Sequence, residues 1–418
     1  MAVLIKNGFV IDPANDMQMQ LDVLLENGLV TTVQSSIEPP LECSVFDASG
    51  CIVCPGLIDM HVHCFPGGSS LGIDPDKYCL PRGVTTVVDA GSAGAKSFSK
   101  FLAYCKTRKT RIFSLLHVSR VGLETAGCAT ADLPGELESI DDVNEDECLE
   151  CAKANPDTIV GMKIRLSENI AKQGHNEAEA LRRALLITEK IKLPLMVHYS
   201  FSTLPHKGVG EELGVPGSLR NGDILTHMYH GFQSTIIDPS TKSIDPVVLE
   251  SKENGVKFDI GHGMGSFSWT VAELAIKTGN LWPDTISTDL HTESMDGPAY
   301  DLTTVMTKLL HLGMPLFDVI KAVTFTPAKL INREKMIGSL TPGAIADVTV
   351  MKLVDCDLML EDCQMHMRNI KQRLIPVAAW RAGERVKIFE PWGTWPNVSE
   401  SYQCHQSRER TLLHIRPD

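Results

Sequence analysis

The chain has 418 residues, 43% hydrophobic and 22% charged. That is enough apolar material for a large core, and it excludes a disordered tail, a collagen or a coiled coil. The net charge of −13 argues against a nucleic-acid partner, whose phosphates are held mainly by lysine and arginine.

The start, Met1 to Asp12, has neither a charged leader nor a cleavage site, which predicts no signal peptide and a cytoplasmic protein. No apolar run reaches the ~18–20 residues that span a bilayer, so no membrane partner is expected. Residues 1–55 read as short strands: Val3 to Val10, Leu21 to Leu25, Leu29 to Val33 and Cys51 to Val53, separated by Asn-Gly, Pro-Pro and Ser-Gly breaks. The twelve cysteines are scattered. The pairs Cys51/Cys54 and Cys148/Cys151 could be read as structural zinc ligands, but they lie far apart and fit free thiols in a reducing compartment better.

From Pro55 the rhythm changes to eight apolar, strand-like runs. They are Leu57 to Val62, Val84 to Asp89, Ile112 to Val118, Thr158 to Leu166, Leu195 to His198, Ile224 to His227, Val256 to Ile260 and Thr285 to Asp289. Helical patterns such as Glu177 to Ile191, Trp269 to Lys277 and Thr303 to His311 lie between them. The count and length predict an α/β fold, a (β/α)8 TIM barrel over 56–337, with a doubly wound open sheet as the rival. Strand texture returns at Ala346 to Lys352, Pro376 to Trp380 and Val386 to Phe389. Residues 1–55 and 338–390 are therefore expected to form one composite β-sandwich domain, with the barrel inserted between its halves. Residues 391–418, with Trp392 and Trp395, are expected to be a C-terminal arm, and the sequon at Asn397 to be idle.

Chemistry-bearing residues recur at the ends of the barrel runs. His61 and His63 end the first run two apart, so both imidazoles lie on one face and can hold a metal ion. In Val160-Gly161-Met162-Lys163-Ile164-Arg165 the apolar residues take one face, which turns Lys163 and Arg165 into the lumen. A lysine there either pairs with a carboxylate or loses its proton, and a neutral amine can add carbon dioxide to give a carbamate that bridges two metals. His198 and His227 end the next two runs. Asp289 ends the eighth, where it can either cap a helix or ligate a metal and shuttle a proton. Arg165, His230, His262 and His291 are candidate substrate contacts; Arg165 fits a carboxylate clamp or a structural ion pair equally well. The Gly261-His262-Gly263-Met264-Gly265 spacing does not match a dinucleotide-binding loop.

The order His-x-His after Pro-Gly-Leu-Ile-Asp, then Lys, His, His and Asp on strands four, five, six and eight, resembles the amidohydrolase superfamily. Within it, the chain looks like the binuclear branch with a carboxylated lysine. Gly-Met-Lys-Ile-Arg, Val-His-Tyr-Ser, Thr-His-Met-Tyr-His-Gly and Ser-Thr-Asp-Leu-His look closest to its deacetylase-like bacterial members, often described as dihydroorotases. The resemblance implies two divalent metal ions, with zinc the first choice. His61, His63 and Asp289 would hold the buried ion and His198 and His227 the exposed one. N6-carboxylysine at Lys163 and a hydroxide would bridge them, and Asp289 would act as the proton shuttle. The implied function is hydrolysis of an acyl ester or amide of a small molecule. The alternatives are a cyclic amidohydrolase of the dihydroorotase or dihydropyrimidinase kind, or a non-catalytic dihydropyrimidinase-like scaffold. A homo-oligomer is expected from the habit of that group.

Overall fold

In the computed structural model, which describes residues 2–124 and 134–389, the apolar runs after Pro55 become parallel strands. Leu57–Val62, Val84–Gly94, Arg111–His117, Ile159–Leu166, Leu195–Tyr199, Ile224–Thr226 and Lys257–Phe258 pair in chain order as one seven-stranded sheet. Every pairing is parallel. Parallel sheets are covered on both faces, which is why all of Ile159–Leu166 is buried despite its lysine and arginine.

The eighth run does not form a regular strand. Residues 285–290 touch both edges of the sheet through single bridges, Thr285 to Asp259 and Leu290 to Val62, and the His63 N–H donates to the Leu290 carbonyl at 2.9 Å. The cause is local backbone. Asp289 lies at φ 47, and Gly261 and Gly263 beside it lie at φ 47 and 54, so a pleated ladder cannot propagate through them.

Helices Glu177–Ile191, Trp269–Gly279 and Leu302–His311 lie where the periodicity places them. The last is started by Asp301, whose carboxylate accepts from Thr304 N at 2.8 Å and satisfies one of the free N–H groups of the first turn. No helix among the described residues is long and apolar enough to cross a membrane.

Both chain ends feed one mixed eight-stranded sheet. Val3–Asp12 pairs antiparallel with Met17–Glu26, and parallel with Ser44–Asp47 and Ile52–Pro55. Val348–Glu361 pairs antiparallel with Ile52–Pro55 and with Met367–Arg381, and Glu384–Val386 closes the edge. Val10, Val23, Val53, Val348 and Trp380 form its own core. The short strand Ser44–Asp47 departs from the sequence reading, and so does the length of the hairpin, 14 and 15 residues a side. The middle of the hairpin alternates partly buried apolar residues with exposed charged ones, so its hydrophobicity fades. Its tip is buried again, at Glu361 and Asp362, because it lands against Trp269 and Tyr300.

The cysteines described are free thiols, Cys51, Cys54, Cys148 and Cys151 among them, as expected. The arm 391–418 and the Asn397 sequon lie outside the described residues.

Candidate metal centre

The C-terminal ends of the parallel strands gather the imidazoles. Atoms of His61, His227 and Asp289 that can ligate a metal lie within 4.8 Å of one another. His63 joins them through Asp289: Oδ1 of that residue lies 3.0 Å from His63 Nε2 and 3.2 Å from His61 Nε2. The His198 ring stands edge-on to His227 with centroids 4.3 Å apart. The backbone is bent to achieve this, since His227 at φ 66 and Asp289 at φ 47 both occupy the left-handed region.

Hydrogen bonds fix which ring nitrogen faces inward. His227 Nδ1 donates to the Gly261 carbonyl at 2.6 Å, which leaves its Nε2 a lone pair. That Nε2 is buried and has no hydrogen-bond partner. His61 Nδ1 lies 2.9 Å from Thr226 Oγ1, whose own proton goes to the Asp259 carboxylate at 2.7 Å. The hydroxyl must therefore accept from Nδ1–H, so His61 Nε2 also presents a lone pair. His198 uses Nε2 for Ser200 Oγ at 2.7 Å, leaving Nδ1 available to a metal, and His63 Nδ1 lies 3.1 Å from Ser92 Oγ.

The electrostatics agree for three of the four imidazoles. Burial holds His63, His198 and His227 below the usual imidazole range, hence neutral. For His61, burial and Lys163 push down, but Asp289 and Asp259 outweigh them and the net shift is upward. Burial pushes the Asp289 carboxyl up, but His61 and His63 beside it more than offset that and hold it well below the usual carboxylate range. Asp289 Oδ1 is buried without a hydrogen-bond donor. A buried carboxylate oxygen without a hydrogen-bond donor, set among buried imidazoles, is suited to a cation, so the residues present fit a metal ion.

Lys163 is 1% exposed. Its Nζ lies 3.2 Å from His61 Nε2 and 3.6 Å from Met196 Sδ, and no carboxylate among the described residues comes within ion-pair distance. Burial lowers its pKa to about 7, although Asp289 and Asp259 pull the other way. The amine is thus substantially neutral at neutral pH, the form that adds carbon dioxide.

The four candidate substrate residues separate. Arg165 is drawn to Glu136, which accepts from its Nε and, at 2.8 Å, from Nη2. Of its two readings, the ion pair is the one formed here. His230 stacks on Phe232 and accepts from the Phe232 N–H through Nδ1 at 3.1 Å; burial lowers it to about 3. His262 turns away to Lys308, with its Nε2 2.8 Å from Nζ, and is fully buried. His291 stays beside the ligands, its ring 6.3 Å from that of His63. Its Nδ1 accepts from Glu293 N at 3.2 Å, so the proton sits on Nε2.

The sequence reading overlooked the groups behind the ligands. Asp259 accepts from Thr226, Thr285 and Ser287, and Asp59 accepts from Thr288 N and Oγ1, fixing the residue before Asp289. A period-two reading of Lys257-Phe258-Asp259 would have turned Asp259 inward; Glu136, in a loop, carries no such signal.

The chain matches the amidohydrolase family over residues 52–386. It is 37% identical to a deacetylase of Agrobacterium fabrum over 361 residues, 86% of this chain and 85% of that one. Among solved structures it is similar to a dihydroorotase, with a TM-score of 0.80 at 33% identity, covering 93% of this chain and 98% of the other. An adenine deaminase gives a TM-score of 0.80 at 29% identity, covering 92% and 99%.

Proposed function

Because the chain belongs to the amidohydrolase family, we propose that it is a deacetylase-like hydrolase, cleaving an acyl ester or amide of a small molecule at a two-metal site. The observation that carries this reading is Lys163: a buried lysine with no carboxylate partner, set among His61, His227 and Asp289, is suited to carboxylation and to bridging two ions. His61, His63 and Asp289 would hold one ion and His198 and His227 the other, with carboxylated Lys163 between them. We also read 285–290 as the eighth stave of a closed (β/α)8 barrel over 56–337, with the composite β domain at 1–55 and 338–390.

Two bound divalent ions, zinc by the donor set, would supply Lewis acidity and a nucleophilic water at neutral pH. The chain's own part is positioning and proton transfer. The Gly261 carbonyl and the Thr226 hydroxyl hold His227 and His61 in single tautomers. Asp289 accepts a proton from the attacking water and returns it to the leaving oxygen or nitrogen as the acyl bond breaks. Thr288, tied to Asp59, fixes the backbone from which Asp289 projects.

A second reading, ring opening of a cyclic amide, rests on the likeness to a dihydroorotase. Metal-loaded protein offered acetyl esters and N-acetyl compounds should release acetate, while dihydroorotate should stay closed. Ring opening without acetate release reverses the two readings, and inactivity on both at two metals per chain overturns the hydrolase proposal. Asp289→Asn should lower kcat by about 10³-fold or more while retaining much of the metal; near-normal turnover would remove the proton role.

A further inference from the structure

Lys308 lies in helix Leu302–His311 and is fully buried, yet nothing in the proposed chemistry uses it. Its ammonium has three protons, and three acceptors meet it: the Glu361 carbonyl at 2.6 Å, the Pro298 carbonyl at 3.0 Å and His262 Nε2 at 2.8 Å. The rings of Phe267 and Trp269 lie 5.4 and 5.7 Å from it. This is a saturated buried cation, and such a group holds its partners in place. Because His262 Nε2 accepts, its proton is on Nδ1, which donates to the Gly263 carbonyl at 3.0 Å. The imidazole also stacks on Phe267 with centroids 4.7 Å apart.

The residues on either side of His262 touch the metal ligands. The Gly261 carbonyl is the acceptor that sets the His227 tautomer. A Cβ on Gly263 would stand 2.5 Å from Asp289 Oδ2, so backbone and carboxylate are already in close packing. At its other end Lys308 grips the tip of the long hairpin from the end sheet. There Tyr300 donates to Glu361 Oε1 at 2.6 Å, Cys363 N donates to the Phe267 carbonyl at 3.0 Å, and Trp269 N donates to Asp362 Oδ2 at 2.9 Å.

We propose that Lys308 is a positioning residue. Through His262 it seats residues 261–263 against His227 and Asp289, and through the Glu361 carbonyl it makes the end-sheet hairpin part of that support. The inference rests on the metal-site reading above, and Lys308 itself touches no reacting atom.

The test compares Lys308→Met, which keeps an unbranched apolar stem and removes three donors, with Lys371→Ala. The latter breaks the exposed pair of the same hairpin with Asp357, at 2.6 Å, and touches nothing in the site. Each full-length protein is loaded with cobalt(II), and its visible spectrum, metal per chain, kcat, KM and melting temperature are measured. Lys308→Met should shift the cobalt spectrum and lower kcat at least ~10-fold with KM little changed, as losses behind metal ligands do. Lys371→Ala should keep the wild-type spectrum and kcat even where it lowers the melting temperature. If Lys308→Met does not fold, the His262 pair decides: His262→Gln supplies an acceptor again and should stay near the wild-type spectrum, whereas His262→Leu should shift it. A wild-type spectrum and kcat in folded Lys308→Met, or equal spectra in the His262 pair, overturn the inference. Wild-type protein that takes up no cobalt refutes the metal-site reading itself, and this inference with it.

Discussion

Replacing Thr226 by valine isolates the control of one candidate metal ligand, His61. The Thr226 hydroxyl is fully buried between Asp259, which takes its proton at 2.7 Å, and His61 Nδ1 at 2.9 Å. Valine keeps the β-branched shape and removes this relay. The His61 Nδ1–H then faces Asp259 Oδ2 at 3.7 Å, too far for a hydrogen bond. An orphaned buried donor costs about 1–3 kcal/mol. The imidazole can escape that cost by moving its proton to Nε2, where Asp289 Oδ1 waits at 3.2 Å. The proton then occupies the position a metal needs. At 1.4 kcal/mol per tenfold, zinc affinity should fall about 5- to 150-fold. Chelator competition on metal-free protein measures this, with Thr226→Ser as the control that keeps the hydroxyl. Valine and serine variants within two-fold of each other would show that the relay does not set the tautomer.

Bicarbonate-dependent uptake of a second metal should rise with pH through about 7, because burial places the Lys163 amine there and only its neutral form adds carbon dioxide; a flat profile between roughly pH 6 and 8 contradicts this. Gly263→Ala puts a methyl 2.5 Å from Asp289 Oδ2 at a residue with φ +54. It should cost about 1–3 kcal/mol in urea unfolding and abolish most turnover, and an unchanged kcat would mean the carboxylate has room to move. Arg165→Leu should cost about 3–5 kcal/mol at neutral pH, since it strips a buried Glu136 of its guanidinium. Burial pushes the Glu136 carboxyl up, but Arg165 more than compensates and the net shift is downward. The stability of the pair is therefore present above the ordinary carboxylate range and lost as pH falls through the lower folded value. The deficit of the variant should accordingly shrink in acid, as unfolding curves at two pH values will reveal.

The candidate ligand positions stand out in the sequence because period-two alternation and strand ends are local signals. His61, His63, Lys163, His198 and His227 all end, or lie inside, runs whose apolar neighbours declare which face is buried. Asp289 was legible as a residue, but not its left-handed backbone, which interrupts the eighth run. What surrounds the ligands was not legible. Glu136 reaches Arg165 from a loop 29 residues away, and no periodicity marks that meeting. His262 has a partner, Lys308, 46 residues on, so a histidine in a glycine-rich loop read as a substrate contact when its nitrogens were already taken. The hairpin reads short in the sequence because exposed charges interrupt its middle, and the burial of Ile370 and Leu374 in the larger core is what lets the strands continue.

The left-handed backbone at Asp289 also bears on what this chain can become by mutation. Most side chains are strained at φ near +50, and glycine, asparagine and aspartate adopt it most readily. The fold has thus narrowed the alphabet at position 289 before any reaction chooses among the letters. Of those three, only aspartate carries a charge. A drift to asparagine or glycine would leave the backbone at ease and remove the carboxylate proposed to carry the proton, so in that reading function can be lost at this position without any loss of fold.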